Sequence, residues 1–413
     1  MIVNRKQPVE LPTELELHNM PLAMDIFTHQ NRHRVKKIYQ AFLEVKILGL
    51  TLILSSALAI FGILMGCGGG GTADGSSSAP GPTPTPTPTR TWEMGFYPTP
   101  PRFNIPEILR TIDLLSSRAE LAVLHEELPW TELLSGKSTT KILEEHKDGL
   151  IGALHDHGLR ILFMADLTDG LARYQEPPQL RALGRSITEP AVQQLYRDYV
   201  LTFAQRFHPE YIGLTAETNL VRRMASPAVY AAMVQAANNA ASDLQAAHVT
   251  SPLLISVQVE TAWGVFGSSE PYAGIEQDFS DFPFMQMLGL SSYPYFSYAV
   301  PEDIPDNYYR RLLNGRSMPV LVCEGGWTSA GVDAIVSSPQ VQARYIRRQA
   351  DLLDSVQARA MAQTLFVDID MDQLTVEPPP NLYFFISLGL MDKDFQAKPA
   401  LEVWDDLFAR SKI

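Results

Sequence analysis

Two glutamates that follow short apolar runs are the side chains of this sequence best suited to acid and base chemistry. Glu217 follows the run 210–215 in the segment IGLTAETN, and Glu324 follows the run 319–323 in the segment PVLVCEGGW. Two carboxyl groups that face each other can divide the work of proton donor and nucleophile, provided that one is protonated and the other ionised. Either glutamate alone would be interpreted as a solvated loop residue. Because each follows a strand-like run, the two together favour a catalytic pair.

Other carboxylates, amides and aromatic rings follow the remaining apolar runs. Aromatic faces stack on sugar rings, and carboxylates and amides form hydrogen bonds with hydroxyl groups. The combination is typical of a carbohydrate-binding cleft. The residues expected to contact a substrate are Tyr97, His125, Glu127, Trp130, Asp166, Asn219, Glu260, Trp263, Tyr293, Tyr295 and Trp327.

Strand-like apolar runs alternate with amphipathic helical runs from residue 92 to the end of the sequence. The predicted strands cover residues 93–97, 120–125, 159–165, 210–215, 252–258, 286–292, 319–323 and 363–369. The predicted helices cover residues 105–117, 139–157, 189–207, 226–247, 302–313, 339–357 and 398–410. Near-continuous apolar strands separated by helices indicate a parallel sheet that is covered on both faces.

Eight strand–helix units favour an α/β fold of the (β/α)8 TIM barrel type over the alternative, a doubly wound open sheet. Active sites of such barrels lie at the carboxyl ends of the strands. Glu217 and Glu324 end the fourth and seventh predicted strands, which lie nearly opposite each other, so the two carboxyl groups are expected to face each other. Asp368, Asp370 and Asp372 alternate at the end of the eighth predicted strand, and we expect a solvated rim there rather than a cation site.

The motifs that hold these residues resemble those of the clan A glycoside hydrolases, a group of retaining (β/α)8 glycosidases. In that clan the acid/base glutamate ends the fourth strand and the nucleophile ends the seventh. The E-x-G-W sequence at Glu324 is similar to endo-β-1,4-galactanases and to β-1,3-glucanases. The segment SSYPYF resembles the tyrosine-bearing segment beside the nucleophile, and LGLMDKDFQAKPALEVW resembles the closing helix of many members.

The resemblance implies that Glu324 is the nucleophile, that Glu217 is the acid/base catalyst and that Tyr293 forms a hydrogen bond with Glu324. Retaining hydrolysis places such carboxyl groups about 5–5.5 Å apart and requires no metal ion. One position departs from the clan, whose members usually carry Asn directly before the acid/base glutamate to bind the 2-hydroxyl group. This chain has Ala216 there, and Asn219 is the nearest alternative amide.

The composition limits the partners and cofactors of the chain. The net charge of −13 argues against nucleic acid, because phosphate binding needs a surplus of Lys and Arg. Cys67 and Cys323 lie in different contexts, which argues against a disulfide framework, and Cys323 is expected to pack as a small apolar residue. The sequence has no glycine-rich phosphate motif and no zinc-type Cys/His spacing, so no cofactor and no metal are predicted.

The N-terminal part predicts export and a membrane attachment. Residues 47–66 are apolar or small and uncharged, and they follow a basic stretch. The tetrapeptide LMGC that ends at Cys67 resembles the lipobox of bacterial lipoproteins, which implies lipidation of Cys67; an uncleaved membrane anchor is the alternative. Either interpretation places the barrel outside the cytoplasm, because positive charge stays inside.

Three segments are therefore expected. Residues 1–66 form an N-terminal extension with a signal segment, and residues 67–91 form a disordered tether rich in Gly, Ser, Pro and Thr. Residues 92–413 form the barrel domain.

The favoured function is an extracytoplasmic, lipid-anchored glycoside hydrolase that cleaves a β-linked poly- or oligosaccharide with retention. The alternative from a different class is a surface-anchored carbohydrate-binding barrel without catalysis, which Ala216 favours. A third hypothesis is a lipoprotein that helps to export or modify the cell's own exopolysaccharide. The expected partners are a saccharide and a membrane.

Overall fold

Eight parallel strands close into a barrel in the computed structural model, which describes residues 89–265, 272–373 and 378–413. Each strand pairs with its neighbours in chain order, and the last pairs with the first. The strands are β1 (Glu93–Phe96), β2 (Leu121–Glu127), β3 (Arg160–Asp166), β4 (Tyr211–Gly213), β5 (Leu253–Gln258), β6 (Met287–Ser292), β7 (Val320–Gly325) and β8 (Ala358–Gln363). The closed barrel confirms the predicted (β/α)8 architecture and excludes the open doubly wound sheet.

Helices fill the connections and cover the outside of the barrel. They are α1 (Ile105–Ser116), α2 (Trp130–Leu134), α3 (Thr139–His146), α4 (Asp148–Asp156), α5 (Pro178–Ala182), α6 (Pro190–Phe207), α7 (Thr218–Met224), α8 (Pro227–Ala246), α9 (Val259–Ala262), α10 (Glu276–Asp281), α11 (Pro339–Asp354) and α12 (Pro399–Phe408). Several begin at a side-chain cap followed by proline; Ser226 and Ser338, for example, accept hydrogen bonds from the backbone N–H groups of Val229 and Val341. Proline suits the first helical turn because the N–H group that it lacks would have no partner there.

Two apolar layers hold the barrel together. Alternate strand residues point inward, where Leu162, Leu254 and Leu321 belong to a small interior cluster. The intervening residues point outward and pack against the helices in a much larger buried cluster. This alternation follows from the strand period of two residues, and it fills the barrel with side chains so that the site lies at its end.

Two sequence predictions require correction. The eighth strand is Ala358–Gln363 instead of 363–369, so the three aspartates from Asp368 onward lie in the connection that follows the strand. Residues 302–313 contain only the 3₁₀ turns Pro301–Asp303 and Arg310–Leu313. Pro305 explains the second difference, because proline lacks a backbone donor and disfavours helical geometry in the preceding residue.

The two ends of the described chain meet below the barrel. The strand Thr89–Arg90 pairs in parallel with Ser411–Lys412, and Arg90 forms an ion pair with Glu120, next to the start of β2. Thr89 and Arg90 were predicted as part of the tether. Cys67, the signal segment and the rest of the tether lie outside the described residues. Within the described ranges, none of the helices combines the length and apolar character that crossing a membrane requires.

Candidate active site

Glu217 lies just beyond β4, at the residue that precedes α7. Its backbone is left-handed, with φ 48° and ψ 42°, and its N–H group donates to the Ser256 hydroxyl on β5 over 3.0 Å. A residue with a Cβ atom adopts this conformation at a cost of order 1–3 kcal/mol, and such strain is concentrated at functional sites. The turn directs a fully buried carboxyl group to the carboxyl end of the barrel.

Both oxygens of the Glu217 carboxyl group accept hydrogen bonds. The Ser291 hydroxyl donates to Oε1 over 2.6 Å, and Arg173 Nε donates to Oε2 over 2.7 Å. Burial is the main influence on this group and raises its pKa to about 8; the Arg173 charge opposes the rise and repulsion from Glu324 adds to it. Glu217 is therefore mostly protonated at neutral pH, as a proton donor must be.

Glu324 lies near the end of β7 and is also buried. The Tyr293 hydroxyl, just after β6, donates to Glu324 Oε1 over 2.9 Å and lies 2.8 Å from the Thr364 hydroxyl. The β6–β7 register places Ser291 directly beside Glu324. Because the hydroxyl of Ser291 also binds Glu217, this serine connects the two glutamates across the end of the barrel.

A buried histidine connects Glu324 to the neighbouring strands. His125 Nδ1 lies 3.5 Å from Glu324 Oε2 and 3.3 Å from the Tyr97 hydroxyl, while Nε2 lies 2.9 Å from Asp166 Oδ2. Burial opposes the charged imidazolium, but the hydrogen bonds to Asp166 and Glu324 outweigh it and raise the pKa of His125 to about 9. At neutral pH both ring nitrogens therefore carry protons, and the imidazolium faces the Glu324 carboxyl group.

Arg173 is the charged site residue that sequence reasoning missed. It lies in the loop between β3 and α5, is buried, and forms ion pairs with both Asp166 and Glu217. Burial acts to raise the pKa of Asp166, but the charge of Arg173 and the hydrogen bond and charge of His125 together outweigh it and hold that pKa well below its usual range. Sequence reasoning considered the residues directly after each strand, and Arg173 lies several residues beyond the end of β3, in the segment TDGLAR.

The structure thus gathers Tyr97, His125, Asp166 and Tyr293 around Glu217 and Glu324, in line with their predicted position at the strand ends. Glu127 lies at the edge of this group, where it accepts a hydrogen bond from the Gly170 N–H group over 3.2 Å. Burial and the nearby Asp169 and Asp166 raise the pKa of Glu127 well above its usual range.

Two other polar residues predicted to contact substrate are used within the protein. The Asn219 amide donates to the Gln258 carbonyl and accepts from the Gln258 N–H group, both over 2.8 Å, which fastens α7 to β5. Glu260 is fully buried and accepts from the Tyr293 N–H group over 3.0 Å and from the Tyr308 hydroxyl over 2.8 Å. Asn219 therefore does not replace the amide that is missing at Ala216.

Six aromatic residues were expected to contact the substrate. Apart from Tyr97 and Tyr293, their rings pack against other protein side chains. Trp130, Tyr295 and Trp327 are buried in the outer core, and Trp263 stacks on Tyr308 with 5.1 Å between ring centroids. For Trp327 the reason is local, because the turn at Gly326, with φ 153°, carries the chain outward, where the ring packs against Tyr345 of α11. In this structure these rings contact other protein side chains, and their role as subsite residues stays a prediction.

Acidic groups outside the site are paired with cationic side chains. Asp368 binds Lys398 over 2.5 Å, and Asp370 binds Arg102 and Lys393, while Asp372 also reaches Lys393. Among the described residues, Glu132, Glu145 and His146 have the spacing of a metal site, but Lys137 forms hydrogen bonds with both glutamates. Its ammonium group already supplies the positive charge there.

Cys323 lies in the barrel interior, as predicted. It is buried within the interior cluster, and its thiol donates to the Leu290 carbonyl over 3.4 Å. Burial raises the pKa of this thiol, which keeps it protonated and unreactive.

Comparison with known proteins identifies solved structures of the same fold. No protein-family model matches the sequence, and the search of curated proteins found no match. An exo-β-1,4-mannosidase from Opitutaceae bacterium strain TAV5 has a TM-score of 0.55 and 18% identity over 78% of this chain. This chain spans 59% of the length of that mannosidase.

Two further structures come from proteins named GH5_18. A variant from Streptomyces cattleya, in complex with Manβ1-4GlcNAc, has a TM-score of 0.54 and 15% identity over 76% of this chain and 80% of its own. The protein from Bifidobacterium longum subsp. longum has a TM-score of 0.54 and 15% identity over 78% of this chain and 79% of its own. At these identities the likeness establishes the shared barrel fold.

Proposed function

We propose that this chain is a retaining glycoside hydrolase in which Glu324 is the nucleophile and Glu217 the acid/base catalyst. The observation that carries the proposal is the meeting of two buried glutamates in different surroundings at the ends of β4 and β7, with Ser291 of β6 hydrogen-bonded to Glu217 and paired in register with Glu324. A raised pKa keeps Glu217 protonated, while Glu324 faces the hydroxyl of Tyr293 and the imidazolium of His125. Retaining hydrolysis needs this division between a proton donor and a nucleophile.

In the first step, the Glu324 carboxylate forms a bond to the anomeric carbon while the bond from that carbon to the leaving oxygen breaks. Glu217 transfers its proton to the leaving oxygen, and the sugar is then esterified to Glu324. Tyr293 and His125 orient the Glu324 carboxylate for attack. Arg173 then faces a Glu217 that has become negative, and its charge stabilises that ionised state.

In the second step, Glu217 acts as a base. It takes a proton from water, the water oxygen bonds to the anomeric carbon, and the ester bond to Glu324 breaks. Two displacements at one carbon restore its original configuration. Glu217 regains its proton and Glu324 its charge, so the resting state returns.

The neighbours guide the choice of substrate. One is named an exo-β-1,4-mannosidase, and another is in complex with Manβ1-4GlcNAc, so β-1,4-linked mannosides are the first substrates to examine. The sequence motifs add β-galactans and β-glucans. The reacting bond is expected to be a β-glycosidic bond in each case.

Ala216 favours one alternative, a carbohydrate-binding barrel without catalysis. Its side chain cannot bind the 2-hydroxyl group of a sugar, and Asn219 is occupied by β5. Hydrogen bonds to that hydroxyl strengthen in the transition state and contribute several kcal/mol in this class of enzyme. The binding alternative predicts affinity for a saccharide and no release of sugar.

The deciding experiment measures sugar release by purified residues 89–413 from β-mannans, β-galactans, β-glucans, xylans and Manβ1-4GlcNAc. Glu324→Gln should reduce kcat by at least about 10⁴-fold, because the nucleophile is lost. Glu302→Gln is the matched control, since Glu302 is an exposed glutamate that pairs with Arg344 outside the site. NMR of the first product should show retained anomeric configuration. Binding without release by the wild type would favour the alternative.

We further propose that the barrel is held outside the cytoplasm by a lipid on Cys67. The LMGC motif after an apolar segment and a basic stretch supports this location. Metabolic labelling with a fatty acid should label the full chain in a bacterial host and should not label the Cys67→Ala variant. Equal labelling of both proteins would contradict the proposal.

A further inference from the structure

Two tyrosines are exposed near the candidate site. Within residues 89–265, 272–373 and 378–413, the exposed large apolar side chains include only two aromatic ones, Tyr174 at 38% and Tyr383 at 46%. The other rings on which a sugar cleft was expected to depend are packed into the protein. Exposed aromatic rings near a reactive centre are candidates for ligand contacts, since their faces lose water favourably when covered.

Tyr174 is fixed close to the acid/base catalyst. The preceding residue, Arg173, is buried and donates to Glu217 over 2.7 Å. The loop is further ordered by Asp169, whose carboxylate accepts from the Leu171 N–H group over 2.9 Å and pairs with Arg181. The ring of Tyr174 therefore lies one residue from a side chain that reaches the centre of the site, while its own surface faces solvent.

Tyr383 is fixed on the side of the nucleophile. It lies in the 3₁₀ turn Pro380–Phe384, where the Phe384 carbonyl accepts from the Tyr295 hydroxyl over 3.1 Å. Tyr295 is two residues from Tyr293, which donates to Glu324. Tyr174 is thus adjacent in sequence to a residue that forms a hydrogen bond with Glu217, whereas Tyr383 is adjacent to Phe384, which reaches the Glu324 side of the site through Tyr295.

The two segments are also joined to each other. The Asn381 amide donates to the Leu171 carbonyl over 3.0 Å. Leu171 lies in the connection after β3, and Asn381 lies in the connection after β8. Because β1 and β2 lie between β3 and β8 in the barrel, the two connections meet across the ends of β1 and β2. Tyr97, which follows β1, and His125 of β2 are both buried. One hydrogen bond thus joins the two connections, and each of them carries an exposed tyrosine.

We propose that Tyr174 and Tyr383 form an aromatic platform on which a sugar ring of the substrate stacks. The occupant is a pyranose unit of the saccharide chain that adjoins the unit held at the two glutamates. The C–H face of a pyranose is apolar and complements an aromatic face, whereas its hydroxyl edge remains in water. The inference deepens the proposed hydrolase, and it adds the contact with a neighbouring sugar that the buried tryptophans do not supply.

The experiment compares Tyr174→Ala and Tyr383→Ala with the matching Phe variants. Each Ala variant should raise KM on an oligosaccharide about 3- to 10-fold, with a smaller change in kcat, because stacking contributes to binding. The rise should be smaller on an aryl glycoside of a single sugar. Phe variants should remain within about twofold of wild type, since the ring stacks and the hydroxyl does not.

A second measurement separates the platform from catalysis. Retardation in gels that contain the soluble polysaccharide is compared for these variants in the Glu324→Gln background, where no sugar is released. Leu183→Ala is the control, because Leu183 is an exposed apolar residue at the end of α5, and its retardation should equal that of the parent. Reduced retardation of both Ala variants supports the platform even if the wild type proves inactive.

Three results would overturn the inference. They are unchanged retardation and KM in both Ala variants, an equal loss in the Phe variants, and the absence of retardation of the wild-type barrel by every polysaccharide. If the wild type releases sugar and the Ala variants are unchanged, the proposed hydrolase is supported and only the aromatic platform is contradicted.

Discussion

Replacing Arg173 by Gln should move the basic limb of the pH–activity profile to higher pH. Glu217 must be protonated to act as an acid, and its pKa of about 8 places that limb near pH 8. Arg173 stabilises the ionised form of Glu217, so removing its charge favours the protonated form and raises the pKa. The acid form then persists to higher pH, and activity is lost later on the alkaline side.

The size of the effect follows from the geometry. Arg173 Nε lies 2.7 Å from Glu217 Oε2, and both side chains are buried. At an effective dielectric constant of about 20, unit charges 4 Å apart attract by about 4 kcal/mol, which corresponds to about three pH units. This is an upper limit, because the Gln amide still donates a hydrogen bond and the imidazolium of His125 remains nearby. A rise of about one to three pH units is expected.

The assay measures kcat/KM between pH 5 and pH 10 on a substrate with a poor leaving group, which depends on proton donation. Arg173→Lys should leave the limb closer to wild type, because it keeps a positive charge. Arg181→Gln is the matched control, since Arg181 belongs to the same region and pairs with Asp169. A basic limb that stays in place, or moves to lower pH, while kcat falls equally at every pH would refute the electrostatic role of Arg173.

Three further outcomes test other parts of the site. In Gly325→Ala, a Cβ atom would lie 2.5 Å from the Ser292 carbonyl oxygen. The variant should therefore have a free energy of unfolding about 1–3 kcal/mol lower in urea titration, and a lower kcat because Glu324 is the preceding residue. Unchanged values would contradict the tight packing. Ala216→Asn should destabilise by about 1–3 kcal/mol without raising kcat, because the amide enters a fully buried interior position; a more active variant would contradict this. The pKa of His125 is raised from 6.5 to about 9, so its stabilising contribution is complete below pH 6.5 and is lost as the pH rises through 9. The difference in unfolding free energy between the wild type and His125→Gln should therefore shrink over that range. A constant difference would contradict the assignment.

Much of the barrel could be predicted because local pattern and tertiary environment agree. The strands that end near Glu217 and Glu324 are apolar runs with turn or polar residues after them, and their order fixes which ends meet. The eighth strand was misplaced because TLFVDI has higher strand propensity than ARAMAQ, the segment that forms it. The alanines suit the strand for a tertiary reason, since Ala360 and Ala362 fill the crowded barrel interior.

The site was predicted less completely, because the sequence gives the end of a strand but not the direction of a side chain. Tyr293 and His125 project from strand ends, so position alone located them. Trp327 also follows a strand, yet the turn at Gly326 carries its ring into the outer core. Arg173 reaches the centre of the site from a loop, and such placement depends on contacts between loops that no periodicity records.

The pairing of Thr89–Arg90 with Ser411–Lys412 determines how the protein can be attached to a surface. Residue 89 and residue 413 both lie beside the start of β2, at the pole of the barrel opposite the two glutamates. A bead, a fusion partner or any other support joined at residue 89 or at residue 413 therefore leaves the reactive pole facing outward. Residues 89–413 immobilised at either of these positions should accept long polymers from solution without steric obstruction.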